Sequence, residues 1–197
     1  MPEAAITQPV LSIVGIVDPA GLPIPISGIT DRRVQRSVYR LLAENVLCSM
    51  ASIAVEKRAH INAAYFAFSP DLNVYFFSHP NALHCRNILH NPSMALAIFS
   101  SDQTWGHPDR GLQLFGMCKA ATRREISMAE KLYSERFGEY TAWKSALPPD
   151  SLGRDYSFYR FIPAELKVFD EKEFGAGVFV VARVGNKVDV TFRKLSE

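Results

Sequence analysis

The chain has 197 residues, 48% hydrophobic and 21% charged, the balance of a soluble globular protein long enough to bury a sizeable core. Its 22 basic and 20 acidic residues leave a formal net charge of +2. Neither nucleic acid nor an anionic membrane is therefore an expected partner, and any anion site must be local. The three cysteines, Cys48, Cys85 and Cys118, do not read as a disulfide framework; reduced thiols and a cytoplasmic location are expected.

The first residues carry no early Lys or Arg, and the apolar stretch from Val10 to Val17 is broken by Ser12 and Gly15, which argues against a secretory leader. No apolar run approaches the roughly 18 residues of a membrane helix. Pro19, Gly21, Pro23, Pro25 and Gly28 read as a turn-rich segment, because proline lacks an amide donor and glycine favours turns. Residues 1–30 are thus expected to form an arm lying on the surface or on a partner subunit, and residues 31–197 a single domain.

Thr30 or Asp31 is placed to cap a helix. Val34, Val38, Leu41, Leu42 and Val46 follow at helical spacing, with Arg32, Arg33, Arg36 and Arg40 between them, giving an amphipathic helix with a solvated basic face. Strands are expected over Met50–Glu56, Ile61–Phe68 and Val74–Phe77, the last two joined as a hairpin by Ser69-Pro70-Asp71-Leu72-Asn73. Asn81–His90 suits a short helix with Ala82, Cys85, Ile88 and Leu89 inward. Asn91-Pro92 ends it, since a proline pushes its predecessor out of the helical region. Met94–Phe99 reads as a strand, Ser101–Gly111 as a loop and Leu112–Ala121 as a further strand.

Thr122 with Glu125 forms a capping box for a helix whose apolar stripe is Ile126, Ala129, Leu132, Tyr133 and Phe137. Phe158–Phe169 and Val178–Val184 are predicted strands, and Gly185-Asn186 turns the chain into a hairpin with 187–192. Six or more strands joined mostly by short turns do not alternate with helices as in a doubly wound sheet. A mainly-β antiparallel barrel with peripheral helices fits better.

Other constellations weigh less. His79, His84, Cys85 and His90 match no closed zinc pattern, so no metal is expected. Cys118 sits in an apolar strand and reads as inert core. No phosphate-cradling glycine loop or nucleophile elbow is present.

The stretch from about Leu41 to Thr122 resembles the flavin-binding core of the pyridoxamine 5′-phosphate oxidase-like family. The residues that carry the resemblance are the run from Tyr75-Phe76-Phe77-Ser78 through His84-Cys85-Arg86-Asn87-Ile88, then Asn91-Pro92 and the small-apolar strand Ser93–Ile98. Gly111-Leu112-Gln113-Leu114-Phe115-Gly116 looks like that family's next strand, and Tyr159–Glu171 is similar to its closing one. The resemblance implies a split β-barrel and a homodimer with flavin mononucleotide (FMN) sites lined by both subunits. It also implies a phosphate site near Ser78 and the helix that follows. The flavin's pyrimidine edge would meet backbone groups of the strand bearing Arg58, His60, Ile61 and Asn62. Phe77, Ser78, His84, Arg86, Trp105 and Gly111 complete the expected cofactor-binding set, with Trp105 placed to cover the flavin ring or to pack at the interface.

One departure matters. Family members usually carry Lys where this chain has His84, and often Arg where it has Leu83. A protonated His84 is the expected substitute, with Arg58 and Arg86 as further candidates. The chain also ends without the Trp and His of true pyridoxamine 5′-phosphate oxidases. The implied activity is an FMN-dependent oxidoreductase, flavin reductase-like, acting on a small molecule, with no side chain singled out as catalytic. The alternative is a non-catalytic carrier or sensor that holds flavin or haem.

Overall fold

In the computed structural model, which describes residues 11–185, the strands form one antiparallel sheet. They are β1 (Leu11–Val17), β2 (Leu47–Ile53), β3 (Ala59–Phe68), β4 (Val74–Ser78), β5 (Ser93–Ile98), β6 (Arg110–Ala120), β7 (Ser157–Asp170) and β8 (Phe179–Val184). Their order is β1-β8-β7-β4-β3-β2-β5-β6. A further β6–β7 pairing closes β2 to β7 into a six-stranded barrel, and β8 and β1 extend it. The expected mainly-β antiparallel barrel is the fold observed.

The long strand β7 is the seam. One edge pairs with β6 from Tyr159 to Asp170. The other carries β4 opposite Ser157–Phe161 and β8 opposite Glu165–Phe169. The β6–β7 register slips between Phe115 and Gly116, opposite Pro163. A Cβ on Gly116 would collide with the Ile162 carbonyl, so only glycine fits, and the bulge tolerates a proline in mid-strand.

Among the described residues, five α-helices cover the barrel: α1 (Asp31–Glu44), α2 (Leu83–His90), α3 (Arg123–Arg136), α4 (Tyr140–Ala146) and the short α5 (Glu171–Phe174). Among the described residues no helix is long and apolar enough to cross a membrane. Thr30 caps α1 by accepting from the Arg33 amide, while the Asp31 carboxylate accepts from the Ile13 amide and ties α1 to β1. Val34, Val38, Leu41 and Leu42 of α1 enter the barrel core with Met50, Phe66, Phe76, Leu96, Leu114 and Phe161. The Thr122–Glu125 capping box of α3 is present. It seats Ala129 and Tyr133 over a second core of Ala67, Tyr75, Tyr140 and Phe158 on the barrel's outer side.

Several expectations are corrected. Residues 11–17 are not a surface arm: they pair with β8, and Leu11 is fully buried. Strand β2 starts three residues before the predicted Met50, and α4 was not foreseen. Val46 is exposed rather than part of the α1 stripe. On α2 the inward residues are His84, Cys85, Asn87 and Ile88, whereas Leu89 is exposed. The hairpin expected at Gly185-Asn186 and 187–192 lies outside the described residues.

The α1 arginines are not simply a solvated face. Arg40 reaches Asp170, a fully buried carboxylate at the end of β7, at 2.5 Å, and Ser37 donates to the same oxygen at 2.7 Å. Arg33 bonds the Glu173 carboxylate at 3.1 Å and the Glu173 carbonyl at 2.6 Å. These bonds fasten α1 across the seam strand. Removing one partner of a buried pair strands the other charge, at about 3 kcal/mol or more. Arg40→Leu, which leaves Asp170 buried, is expected to lower unfolding stability in urea by about 3 kcal/mol. A loss below about 1 kcal/mol, the scale of a surface pair, would contradict a fastening role.

Candidate functional site

Strand β3 is where the barrel opens. It pairs with β2 over its first seven residues, Ala59 to Tyr65, but with β4 only through Phe66, Ala67 and Phe68. The hydrogen-bond phase of the β2–β3 ladder follows from two bonds: Phe66 N–H to the Val46 carbonyl and Ala54 N–H to the Arg58 carbonyl. Antiparallel ladders alternate strictly, so the even-numbered residues of β3 face β2 and the odd-numbered ones point their backbone groups into the gap. The Tyr65 carbonyl there is taken by the Tyr133 hydroxyl at 2.6 Å, and the Ala63 carbonyl by Asn62 Nδ2 at 3.1 Å. The N–H and C=O of Ile61 and the N–H of Ala63 remain without a partner among the described residues. Read along the strand, this edge offers donor, acceptor, donor.

Beside the gap lies a buried polar pair. Strand alternation puts Ser78 inside with Phe76, and its hydroxyl lies 2.8 Å from His84 Nε2. Both residues are buried, at 8% and 5% exposure. The His60 ring, on the inner side of β3, lies parallel to His84 with centroids 6.4 Å apart. Helix α2 is fixed against β2 by Asn87 Nδ2, which donates to Ser52 Oγ at 3.0 Å. Its first hydrogen bond runs from Arg86 N–H to the Ala82 carbonyl, so the amides of Leu83, His84 and Cys85 open the helix unpaired, as at any helix start. Burial, and then the neighbouring His60, push the His84 pKa below its ordinary value. Burial thus disfavours the His84 cation expected at the phosphate site, and the imidazole is engaged with Ser78.

The structure thus brings together His60, Ile61, Asn62, Ser78 and His84. Arg58 is exposed in the turn before β3, and Arg86 is exposed on α2. The other three predicted residues place their side chains elsewhere. The Phe77 ring points outward into an aromatic cluster with Tyr140, Trp143, Tyr156 and Phe158. Trp105 is 98% exposed in the β5–β6 loop. Gly111 is buried under the Phe169 ring, which a Cβ would strike, so its missing side chain has a packing reason. Ser78 pairs with Ser157, and Gly111 with Phe169 twelve residues further along β7, about 40 Å of strand at about 3.3 Å per residue. Cys85 and Tyr159, outside the predicted set, are buried close to the Ser78–His84 pair. Burial pushes both groups' pKa values up, as it does that of the Cys48 thiol, to about 12. The alternation Phe76, Phe77, Ser78 was the signal that Ser78 faces inward.

The outer face of β2, β3, β5 and β6 presents exposed Leu47, Ile53, Ile61, Tyr65, Phe115 and Met117. Small residues lie between them: Ser49, Ala51, Ala63, Ala95 and Ala97 are cross-strand neighbours on this face. An exposed sheet face of this kind, without charged residues over these positions, is unusual for a chain acting alone. Among the described residues, no three of His, Cys, Asp and Glu cluster to hold a metal ion.

No family model matches the sequence, and no curated protein matches it. Solved structures do. HutZ, the haem storage protein of Vibrio cholerae, is 18% identical over 76% of this chain and 95% of its own, with a TM-score of 0.55. A putative pyridoxamine 5′-phosphate oxidase from Listeria innocua is 15% identical over 68% of this chain and 97% of its own, TM-score 0.52. An FAD-binding protein from Mesorhizobium loti is 16% identical over 67% and 91%, TM-score 0.53. The chain spans 59% of the length of an Agrobacterium tumefaciens protein of unknown function that it also matches. At such identities the likeness shows the fold alone: a six-stranded split β-barrel like those of pyridoxamine 5′-phosphate oxidase-family neighbours.

The lowered His84 pKa makes a stability prediction. The unfolded chain binds a proton at His84 near pH 6.5, the ordinary value, and the folded chain only at lower pH. Stability from the neutral, buried imidazole is therefore complete above about pH 6.5 and is lost as pH falls toward the folded value. Urea midpoints at pH 7.5 and pH 5 are expected to fall further apart in the natural protein than in His84→Gln. Equal acid losses in both would show that His84 is not the group that protonates.

Proposed function

We propose that the cleft at the open edge of β3 binds a flavin and that the chain is a flavin-dependent oxidoreductase acting on a small molecule. FMN is the flavin that the family resemblance implies. The observation that carries this reading is the donor–acceptor–donor run of Ile61 N–H, Ile61 C=O and Ala63 N–H. The pyrimidine edge of a flavin presents the complement: a carbonyl, an N–H and a second carbonyl. Backbone groups in a strand edge are rigidly placed and cost little to order, which favours binding a planar ring there. The flavin would supply the redox chemistry, and the chain would hold and orient it and exclude water. Solved neighbours that are a putative pyridoxamine 5′-phosphate oxidase and an FAD-binding protein agree with a flavin.

A second reading is a non-catalytic carrier or sensor of flavin or haem. The observation that favours haem is His60, a half-exposed imidazole at the mouth of the cleft with no hydrogen-bond partner among the described residues. The haem storage protein among the neighbours is consistent with it. Either way, we propose that this outer face pairs with a second copy as a homodimer.

Two experiments decide. The visible spectrum of the purified protein, before and after addition of FMN and desalting, is expected to show retained flavin bands. Steady-state oxidation of a nicotinamide cofactor with added acceptors is expected to show turnover. Bound flavin without turnover transfers the case to the carrier, and a haem Soret band without flavin binding transfers it to haem. Separately, Phe115→Lys on the outer face is expected to halve the mass in sedimentation while preserving the fold. An unchanged mass would contradict pairing through this face.

A further inference from the structure

The gap between β3 and β4 begins at a definite place. The two strands pair through Phe68↔Val74, Ala67↔Tyr75 and Phe66↔Phe76, so the next pair in register is Tyr65 with Phe77. The backbone of Phe66 faces β2, where its N–H bonds the Val46 carbonyl. Strict alternation then turns the backbone of Tyr65 toward β4 and makes Tyr65–Phe77 a hydrogen-bonded pair. The bond due there runs from Phe77 N–H to the Tyr65 carbonyl. Neither strand ends at this point: β3 runs on through Tyr65 to Ala59, and β4 continues through Phe77 and Ser78 in its ladder with β7. Neither residue is a proline or a glycine, so nothing in the local backbone chemistry stops the ladder.

What stands at that place is a side chain from outside the barrel. The Tyr133 hydroxyl of α3 donates to the Tyr65 carbonyl at 2.6 Å and lies beside the Phe77 backbone. Tyr133 is buried, and its ring is held by Phe137, Tyr140 and Phe158 at centroid distances of 5.1, 5.4 and 5.0 Å. Helix α3 is itself fastened at both ends. Glu125 in its first turn bonds Arg160 of β7. Arg136 in its last turn donates to the Leu42 carbonyl at 2.7 Å and to the Asn45 carbonyl. The same aromatic layer grips both walls of the fork. The Phe137 ring meets Tyr65 edge-on at 5.6 Å, and Tyr140 and Trp143 meet Phe77 at 6.0 and 6.1 Å.

We propose that the Tyr133 hydroxyl is a wedge: it takes the carbonyl that the Phe77 amide would otherwise bond, ends the β3–β4 ladder at Phe66, and so leaves the Ile61 and Ala63 backbone groups open to a ligand. Tyr133 is thus a positioning residue, acting through the Tyr65 carbonyl rather than by touching the ligand. A phenol hydroxyl suits the task, because it both donates and accepts. It serves the backbone of both strands at the fork, where an apolar wedge would leave a donor and an acceptor unpaired at the cost of their desolvation. The wedge operates whichever ligand fills the gap. Only the flavin titration in its test rests on the flavin reading above.

The test is Tyr133→Phe, which keeps the ring in its aromatic layer and removes only the hydroxyl. The Tyr65 carbonyl and the Phe77 amide are then left to each other, and the ladder extends by one pair. Hydrogen exchange at the Phe77 amide is expected to slow about fivefold, the equivalent of one neutral hydrogen bond. The reference is the Phe76 amide, which alternation turns to β7. A hydroxyl that merely stabilised the fold would do the opposite, since its loss would speed exchange at both amides. FMN binding, followed by quenching of flavin fluorescence, is expected to weaken about fivefold in the same variant, because closing the fork takes up part of the open edge. Phe77 exchange that is unchanged or faster in Tyr133→Phe would overturn the proposal, and so would slower exchange with undiminished FMN affinity. Failure of FMN to bind the natural protein would remove the flavin reading and leave the wedge to be judged by exchange alone.

Discussion

The constraint on which the account depends is that one strand cannot keep two neighbours along its whole length. Strand β3 is ten residues long, and β4 pairs with only its last three. A sheet edge inside a closed barrel is ordinarily a cost, because backbone donors and acceptors go unpaired. Here two of the exposed carbonyls are capped by Tyr133 and Asn62. The groups left over include the three around Ile61 and Ala63. The gap is therefore partly closed by the chain's own side chains, and what remains is a run of unpaired backbone donors and acceptors. Around it, β7 is a seam shared by β4, β6 and β8, and α1 is strapped across that seam through Asp170.

The electrostatics at the gap follow from burial rather than from net charge. A chain of formal charge +2 has no strong field to gather an anion, so affinity for a phosphate must come from local donors. The local donors are backbone amides and a hydroxyl bonded to an imidazole whose charged form burial disfavours. The exposed Arg58 and Arg86 are solvated, and exposed charges contribute little at a distance in salt. The two sides of the gap are thus unlike: unpaired backbone groups at β3, and a buried Ser78–His84 hydrogen bond at α2.

The fold was largely legible because its signals are local. The Thr122–Glu125 capping box, the turn after Phe68 and the alternation of β6 and β7 each depend on neighbours a few residues away. What was not legible depends on partners far off in sequence. Leu11–Val17 is a strand only because β8 lies beside it, some 170 residues later. Arg40 looked solvated because its partner Asp170 is 130 residues away. The burial of His84 escaped a reading of α2 because a helix of eight residues offers two turns, too few for periodicity to choose a face. Of the candidate site, the strand bearing Ile61 and the Ser78 turn were proposed through resemblance. The unpaired edge and the Ser78–His84 bond emerge only from the register of β2, β3 and β4.

The most direct measurement is amide NMR of the isotope-labelled chain during titration with riboflavin. If the β3 edge is the docking surface, the Ile61 and Ala63 amides move first and most. Their exchange with solvent slows, while the Trp105 loop is left unperturbed by the ring's own contacts within one chain. Shifts centred on the 99–109 loop or the Phe77 cluster, with Ile61 and Ala63 unmoved, would contradict the account.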